Sequence, residues 1–142
     1  MNTRTAAVAV ALGMTLLLTG CAGGEAPAEE PSSPGAEKDA TYSTIGDFRE
    51  AVEEAGYACS AWSEREQSSF AAAAADCDSG TVLSIFTSEA QRDEQAATLK
   101  ALAIKGEDRP LLIGPNWMIN GKLEVLEQVQ PALGGIIDTS MP

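Results

Sequence analysis

The chain has 142 residues, with 21 acidic and 9 basic side chains, a formal net charge of −12 and no histidine. This length allows one small domain, and so acidic a chain lacks the Lys and Arg clusters that nucleic-acid binding requires. Without histidine there is no Ser-His-Asp triad and no His-ligated zinc. We therefore expect no nucleic-acid partner, no metal and no cofactor.

The N-terminal residues 1–20 have the pattern of a signal peptide. Arg4 is the only charged residue before Glu25, and an uncharged run follows it over residues 6–18. That run is too short for a membrane-spanning helix, which needs about 20 apolar residues, but it is typical of the apolar part of an export signal. The sequence therefore predicts export.

The uncharged run ends in Leu18-Thr19-Gly20-Cys21. This tetrapeptide resembles the lipobox of bacterial lipoproteins, in which a Leu and two small residues precede a modified Cys. The resemblance implies that the Cys21 sulfur carries diacylglycerol and that cleavage occurs just before it. Two or three acyl chains on one residue give stable anchoring, so we expect a lipid-anchored protein on the extracytoplasmic face of the cell membrane. An ordinary secretory signal with a chance Cys is the alternative.

Residues 21–41 are predicted to be the lipidated Cys and a disordered tether. Residues 22–41 are rich in Ala, Gly, Pro, Ser and Glu and contain no aromatic or branched aliphatic side chain, so they cannot bury enough apolar surface to fold. The tether carries a net charge of −4, and the remaining domain, residues 42–142, carries 16 acids and 7 bases. Anionic lipid headgroups should repel both parts.

The domain begins with a predicted helix and three extended segments. Thr44 to Asp47 is typical of a helix start, apolar residues follow at helical spacing, and Gly56 predicts the end. Residues 57–63 and 69–76 read as strands, the second despite its run of alanines. A turn at 78–80 leads to a strand over 81–87, whose buried residues should be Val82, Leu83, Ile85 and Phe86.

The second half alternates helices with short strands. Ser88 and Gln91 form a capping box before a helix over 89–105, whose inward stripe should be Ala96, Leu99, Leu102 and Ala103. Residues 111–113 and 117–120 flank a turn and form two strands or one bent strand. A helix over 122–130, with Leu123, Leu126 and Val129 inward, should end or kink at Pro131, and a last strand covers 136–138. The order predicts an α+β domain with a small, mostly antiparallel sheet and helices packed on one face.

Cys59 and Cys77 are the cysteines that remain if Cys21 is lipidated. Export places them in an oxidising compartment, and a disulfide between them would stabilise the domain by roughly 3 kcal/mol. A redox role would favour a Cys-x-x-Cys spacing, which is absent. We therefore predict a structural Cys59–Cys77 disulfide.

The domain contains five short motifs: Gly56-Tyr57-Ala58-Cys59, Trp62, Cys77 with Gly80-Thr81, Gly114-Pro115-Asn116-Trp117 and Leu133-Gly134-Gly135. In these motifs it resembles a set of small, uncharacterised lipoproteins of actinobacteria, and the resemblance covers most of residues 45–138. It implies no activity, so no functional residue is carried over from it.

Three groups of residues are candidate sites. Trp62 and Trp117 could form an aromatic platform for a sugar or peptide, although core packing is the alternative in a domain with few large apolar residues. Residues 76–80 do not match a calcium loop, because the required Gly and Glu are out of place. The neighbouring acids Glu53-Glu54 and Asp93-Glu94 do not face one another on a helix, so we predict no catalytic residues.

The sequence thus favours a non-catalytic surface lipoprotein that binds an envelope component or a partner protein. The alternative is a small cell-envelope hydrolase that uses carboxylates. A pocket holding two carboxylates would favour the hydrolase.

Overall fold

The computed structural model describes residues 36–66, 70–102 and 109–140. The predicted signal peptide, Cys21 and most of the predicted tether lie outside these residues. In chain order the elements are α1 (Ile45–Glu54), β1 (Ser63–Glu64), β2 (Ala73–Asp76), β3 (Val82–Ile85), α2 (Glu89–Leu102), β4 (Leu111–Ile113), β5 (Trp117–Asn120), α3 (Leu123–Leu133) and β6 (Ile136–Asp138).

The described strands form one six-stranded sheet in the order β1-β2-β3-β5-β4-β6. All neighbouring pairs are antiparallel. The predicted α+β class and antiparallel sheet are therefore confirmed. Residues 111–113 and 117–120 are two strands of a hairpin, not one bent strand.

One face of the sheet packs against α1 and α3, and we call it the α1/α3 face. A row of apolar side chains crosses it in register from β2 to β6. Because strand side chains alternate between faces, the row marks a single surface. Its members are Ala75, Leu83, Ile119, Leu112 and Ile137, and they belong to the same core cluster as Phe48, Val52, Leu126, Val129 and Leu133 of the two helices.

The opposite face packs against α2, and we call it the α2 face. A smaller cluster joins Ala96 of α2 to Phe86, Leu111 and Met118 of the sheet. Leu99 packs against this cluster and is only partly buried. The prediction that the helices pack on one face of the sheet therefore holds for α1 and α3. Helix α2 lies on the other face.

Two helix starts and one helix end follow the predicted chemistry. Thr44 caps α1, its side-chain oxygen accepting a hydrogen bond from the Asp47 N–H at 3.0 Å. Gly56 follows α1 with φ of +97°, a conformation that favours glycine. Only half of the capping box before α2 forms: the Ser88 hydroxyl accepts from the Gln91 N–H, while the Gln91 side chain accepts from Thr87.

The first predicted strand is much shorter than expected. Of residues 57–63, only Ser63 is in β1. The segment before Ser63 is bound to α1 and to Cys77 and does not pair with another strand. The Tyr57 N–H donates to the Val52 carbonyl, and the Ala61 N–H donates to the Cys77 carbonyl. The local apolar pattern predicted a strand, but the attachment to α1 and Cys77 determines the path.

Three of the positions predicted to face inward are wrong. Leu102 is 71% exposed instead of inward, and Leu123 is 38% exposed. Val82 is only half-buried. Of the two outcomes expected at Pro131, an end of the helix is excluded, because α3 continues through it to Leu133. The proline is tolerated because Glu127, whose carbonyl loses its helical partner, is exposed and can be solvated.

Candidate functional site

Residues 36–42, which we call the strap, pack against the domain ahead of α1. The Tyr42 N–H donates to Asn116 Oδ1 at 3.0 Å, and Asn116 Nδ2 donates to the Tyr42 carbonyl at 2.8 Å. The indole Nε1 of Trp117 donates to the Ala40 carbonyl at 2.9 Å. The predicted boundary at Tyr42 therefore lies too late in the chain, because residues assigned to the tether are part of the folded domain.

Asp39 holds the strap to the end of α3. Its N–H donates to the Leu133 carbonyl at 2.8 Å, and its Oδ1 accepts from the Gly135 N–H at 2.8 Å. Asp39 has φ of +58°, a conformation that Asp tolerates better than most residues. At Gly134 an added Cβ would lie 2.2 Å from Asp39 Oδ1. The lack of a side chain at Gly134 thus allows Asp39 to pack against the Leu-Gly-Gly segment.

The turn between β4 and β5 is packed equally closely. A Cβ at Gly114 would lie 2.0 Å from the ring of Trp117, so only glycine fits there. From the α2 side, Nη1 of Arg92 donates to the carbonyls of Gly114 and Pro115, both at 2.6 Å. The two motifs of residues 114–117 and 133–135 therefore meet around the strap, and their shared role is to bind this part of the chain.

An aromatic cluster joins Tyr42, at the end of the strap, to Phe48 and Trp117. Tyr42 and Phe48 have ring centroids 4.9 Å apart, and Phe48 and Trp117 are 5.0 Å apart. Among the described residues the Tyr42 hydroxyl, although buried, has no hydrogen-bond partner. Burial first, and then the negative charges of Glu54 and Glu37, raise the pKa of the Tyr42 hydroxyl. This hydroxyl is therefore kept protonated at neutral pH.

The structure does not support the predicted platform of Trp62 and Trp117. Trp117 is 0% exposed, so its ring faces cannot stack on a ligand, and core packing, the other interpretation of this residue, is what the structure has. Trp62 is half-buried and packs against the core of the α1/α3 face. The Arg49 guanidinium lies 4.9 Å from the centre of the Trp62 ring, so a cation covers one face of this ring.

The predicted disulfide is present between Cys59 and Cys77, whose Cα atoms are 4.4 Å apart. Next to it, Asp78 accepts hydrogen bonds from the Tyr57 hydroxyl and the Gly80 N–H. Burial alone would raise the pKa of Asp78, but these hydrogen bonds, with others from Thr81, outweigh it and lower the pKa. Asp78 thus organises the predicted turn.

The neighbouring acids considered in the sequence are placed on helix surfaces. Glu53 pairs with Arg49 at 2.8 Å, and Asp93 pairs with Arg92 at 2.8 Å. Glu54 accepts a hydrogen bond from the Ala36 N–H at 2.7 Å. Within the described ranges no group of three or more acids or cysteines could hold a metal ion.

The sequence did not predict the hydrogen bonds that Asp39 and Asn116 make between the strap and the rest of the domain. Asp39 lies in a segment whose composition predicts disorder, and Asn116 reads as an ordinary turn residue. The closely spaced glycines 134 and 135 were the available signal, because two adjacent residues without side chains often allow a close backbone approach.

The comparisons with known proteins give no family assignment. No protein-family model, no curated protein and no solved structure matches the chain. In the part of the chain that the structure describes, no helix is long and apolar enough to cross a membrane.

Proposed function

We propose that the protein is an exported lipoprotein, anchored to the extracytoplasmic face of the cell membrane through Cys21. We further propose that its domain is a non-catalytic binding or accessory module for an envelope component or protein partner. The observation that carries the proposal is the sequence Leu18-Thr19-Gly20-Cys21 after an uncharged run over 6–18. The Cys59–Cys77 disulfide agrees with export, because disulfides persist in oxidising compartments.

The state of the carboxylates favours a non-catalytic domain over a carboxylate hydrolase. Such a hydrolase needs one carboxylic acid with a raised pKa, which donates a proton at neutral pH. Hydrogen bonds from Arg49 and Arg65 instead lower the pKa values of Glu53 and Asp76. Lys100 does the same for Asp138. Among the described residues, every carboxyl group with a resolved shift has a lowered pKa.

The anchor is tested by Cys21→Ala in the producing cell. We expect the protein to move from the membrane fraction to the soluble or secreted fraction, and an alkyne fatty acid supplied to the cells should label the wild type alone. Ser32→Ala, a change of similar size in the predicted tether, should leave both results unchanged. Retention of Cys21→Ala in the membrane fraction would contradict the proposal.

The binding role is tested by crosslinking on intact cells, followed by mass spectrometry of the purified protein. We expect one reproducible partner protein or envelope glycan with the wild type. The same experiment with Trp62→Ala tests whether the half-buried Trp62 and its surroundings take part. Recovery of no reproducible partner in repeated experiments would count against a binding module.

A further inference from the structure

Strand β6 forms one edge of the sheet, which we call the β6 edge. The strand order ends with β6, so among the described residues a strand lies on only one side of it. The opposite edge is β1, whose two residues, Ser63 and Glu64, are polar and exposed. Charged side chains protect an edge strand from pairing with another chain. The β6 edge instead carries Ile136 and Ile137, and Ile136 is 74% exposed.

Two of the three exposed large apolar side chains in the described part of the chain lie beside the β6 edge. Ile136 pairs in register with Ile113, which packs on the α2 face. Leu123 of α3 lies seven residues before Gln130, and therefore on the same side of that helix. Gln130 Nε2 donates to the Gly135 carbonyl at 3.3 Å, which places this side of α3 next to β6. The β6 edge thus has an exposed apolar side chain on each face of the sheet.

The hydrogen bonds between β4 and β5 show which backbone groups point to this edge. The Gly114 N–H donates to the Trp117 carbonyl at 3.0 Å, and the Gly121 N–H donates to the Pro110 carbonyl at 3.4 Å. Along an antiparallel strand, every second residue bonds to the same neighbouring strand. Leu112, midway between residues 110 and 114, therefore directs its N–H and carbonyl to β5.

The alternation continues from β4 into β6. Leu111 and Ile113 turn their backbone groups the other way, towards β6. Their partners in the register are Asp138 and Ile136. These two residues therefore bond to β4, while Ile137, between them, directs its N–H and carbonyl outward. The β6 edge thus offers a donor and an acceptor to a further strand at Ile137.

We propose that two copies of the protein pair through their β6 strands, antiparallel, across a two-fold axis at Ile137. The Ile137 N–H of each copy donates to the Ile137 carbonyl of the other. The apolar row of the α1/α3 face, which ends at the half-buried Ile137, then continues into the second copy. A two-fold contact uses every group twice, so a strand of three residues gains more from a second copy than from an unrelated peptide. This inference goes beyond the proposed lipid anchor and does not rest on it.

Hydrogen bonds at the start of β6 exclude an axis one residue earlier. An axis at Ile136 would pair Ile137 with Gly135 of the second copy. The Gly135 N–H already donates to Asp39 Oδ1 at 2.8 Å, and its carbonyl accepts from Gln130. Gly135 therefore has no backbone group left to complete that register, and the contact is limited to the residues that follow it.

Charge excludes an axis one residue later. An axis at Asp138 would place two carboxylates directly opposite one another, which is unfavourable. With the axis at Ile137, each Ile136 lies opposite Asp138 of the other copy, whose carboxylate is paired with Lys100. The apolar stem of that Lys100 can then cover Ile136. The edge itself is therefore electrically balanced.

The remaining charge of the protein opposes association at long range. The net charge is −12, and the exposed Glu127 lies on the same side of α3 as Leu123. Salt screens such repulsion, with a Debye length of about 8 Å at physiological ionic strength. Pairing should therefore strengthen as salt is added. Pairing that weakens with salt would depend on attraction between charges and would overturn the inference.

The test is sedimentation equilibrium of the full-length chain in a density-matched detergent, from about 1 μM to 1 mM protein. We expect a monomer–dimer equilibrium in this range, because the contact is small. Ile136→Asp should raise the dissociation constant at least about tenfold, since it introduces a charge into the contact twice.

Leu102→Asp is the matched control. Leu102 is 71% exposed, close to the 74% of Ile136. It follows Lys100 by two residues, so it points away from the side of α2 that contacts β6. Its dissociation constant should change by less than about twofold, and it also measures any chance sharing of a micelle. A wild type that stays monomeric throughout, or equal effects of the two variants, would overturn the inference.

Hydrogen exchange followed by NMR tests the strand pairing itself. Between dilute and concentrated protein, exchange of the Ile137 amide should slow at least about tenfold, because its outward N–H gains an acceptor. The amides of Ile136 and Asp138, which bond to β4 in either state, should change little. A dimer in which the Ile137 amide does not slow would contradict pairing through β6.

Discussion

The two faces of the sheet are stabilised in different ways. The α1/α3 face contains fully buried large side chains, among them Phe48, Trp117 and Leu126. On the α2 face, Ala96 is the buried residue that α2 contributes. Polar contacts hold that helix, from Arg92 to two carbonyls and from Lys100 to Asp138. The comparison indicates that α1 and α3 contribute more apolar packing than α2, which is positioned largely by polar groups.

The largest difference between the faces should appear on truncating one leucine on each. Leu126→Ala should lower the free energy of unfolding by about 2–5 kcal/mol, since it leaves a cavity in a fully buried site. Leu99→Ala, at a half-buried site on α2, should cost about 1 kcal/mol. Leu102→Ala, at a 71% exposed site, is the control and should change it by less than about 0.5 kcal/mol. Urea unfolding measures all three, and equal losses for Leu126 and Leu99 would contradict the comparison.

The disulfide adds a covalent link to the α1/α3 face alone. Replacing Cys59 and Cys77 together by Ala should lower the free energy of unfolding by about 3 kcal/mol, because the unfolded chain regains the freedom that the closed loop removes. Wild-type protein unfolded with and without a reductant should give a similar difference. A loss below about 1 kcal/mol would show that noncovalent packing suffices on this face.

The strap should contribute less to the free energy of unfolding than the disulfide does. Asp39→Ala removes the acceptor for the Gly135 N–H and puts Ala at a positive φ, so we expect a loss of about 1–2 kcal/mol. Asp39→Asn retains both an acceptor and tolerance of that backbone conformation, and should stay within about 0.5 kcal/mol of the wild type. Equal losses in the two variants would indicate that the charge, not the hydrogen bond, holds the strap.

The smallest predicted effect concerns the α2 face and depends on pH. Hydrogen bonds from Lys100 and Ser140 lower the pKa of Asp138 to about 2, below its unfolded value of about 3.9. Their stabilising effect is therefore complete above that unfolded value and is lost as the pH falls through about 2. Asp138→Asn should lower the free energy of unfolding by up to about 1 kcal/mol at pH 7.

The pH profile distinguishes this ion pair from a packing effect. The difference between the wild type and Asp138→Asn, measured by urea unfolding from pH 7 to 2, should shrink towards zero at the acidic end. Leu102→Ala, which removes no titratable group, is the control, and its small effect should be the same at pH 7 and at pH 2. A loss in Asp138→Asn that stays constant over this range would contradict the assigned contact.

The sequence predicted the elements whose signals are local. The Thr44 cap and apolar spacing predicted α1, the turn residues separated β4 from β5, and the count of cysteines predicted the disulfide. Two features depend on tertiary contacts and could not be read in this way. One is the side of the sheet that α2 covers, which is set by its packing against Phe86, Leu111 and Met118.

The strap was missed for a related physical reason. Its composition has little apolar surface, which predicts disorder, yet Asp39 and Ala40 are held by hydrogen bonds with groups more than 70 residues away. No local pattern contains that information. Trp117 cannot be part of the candidate platform, because its indole donates a hydrogen bond to the strap.

The hydrogen bond from Trp117 to Ala40 also sets the shortest chain that can be produced intact. A truncated protein that starts at Tyr42 would lack Asp39 and Ala40, and the buried indole N–H would lose its acceptor. An unsatisfied buried donor destabilises by about 1–3 kcal/mol, a large share of the stability of a small domain. Recombinant versions for crystallisation or binding assays should therefore begin no later than Ala36.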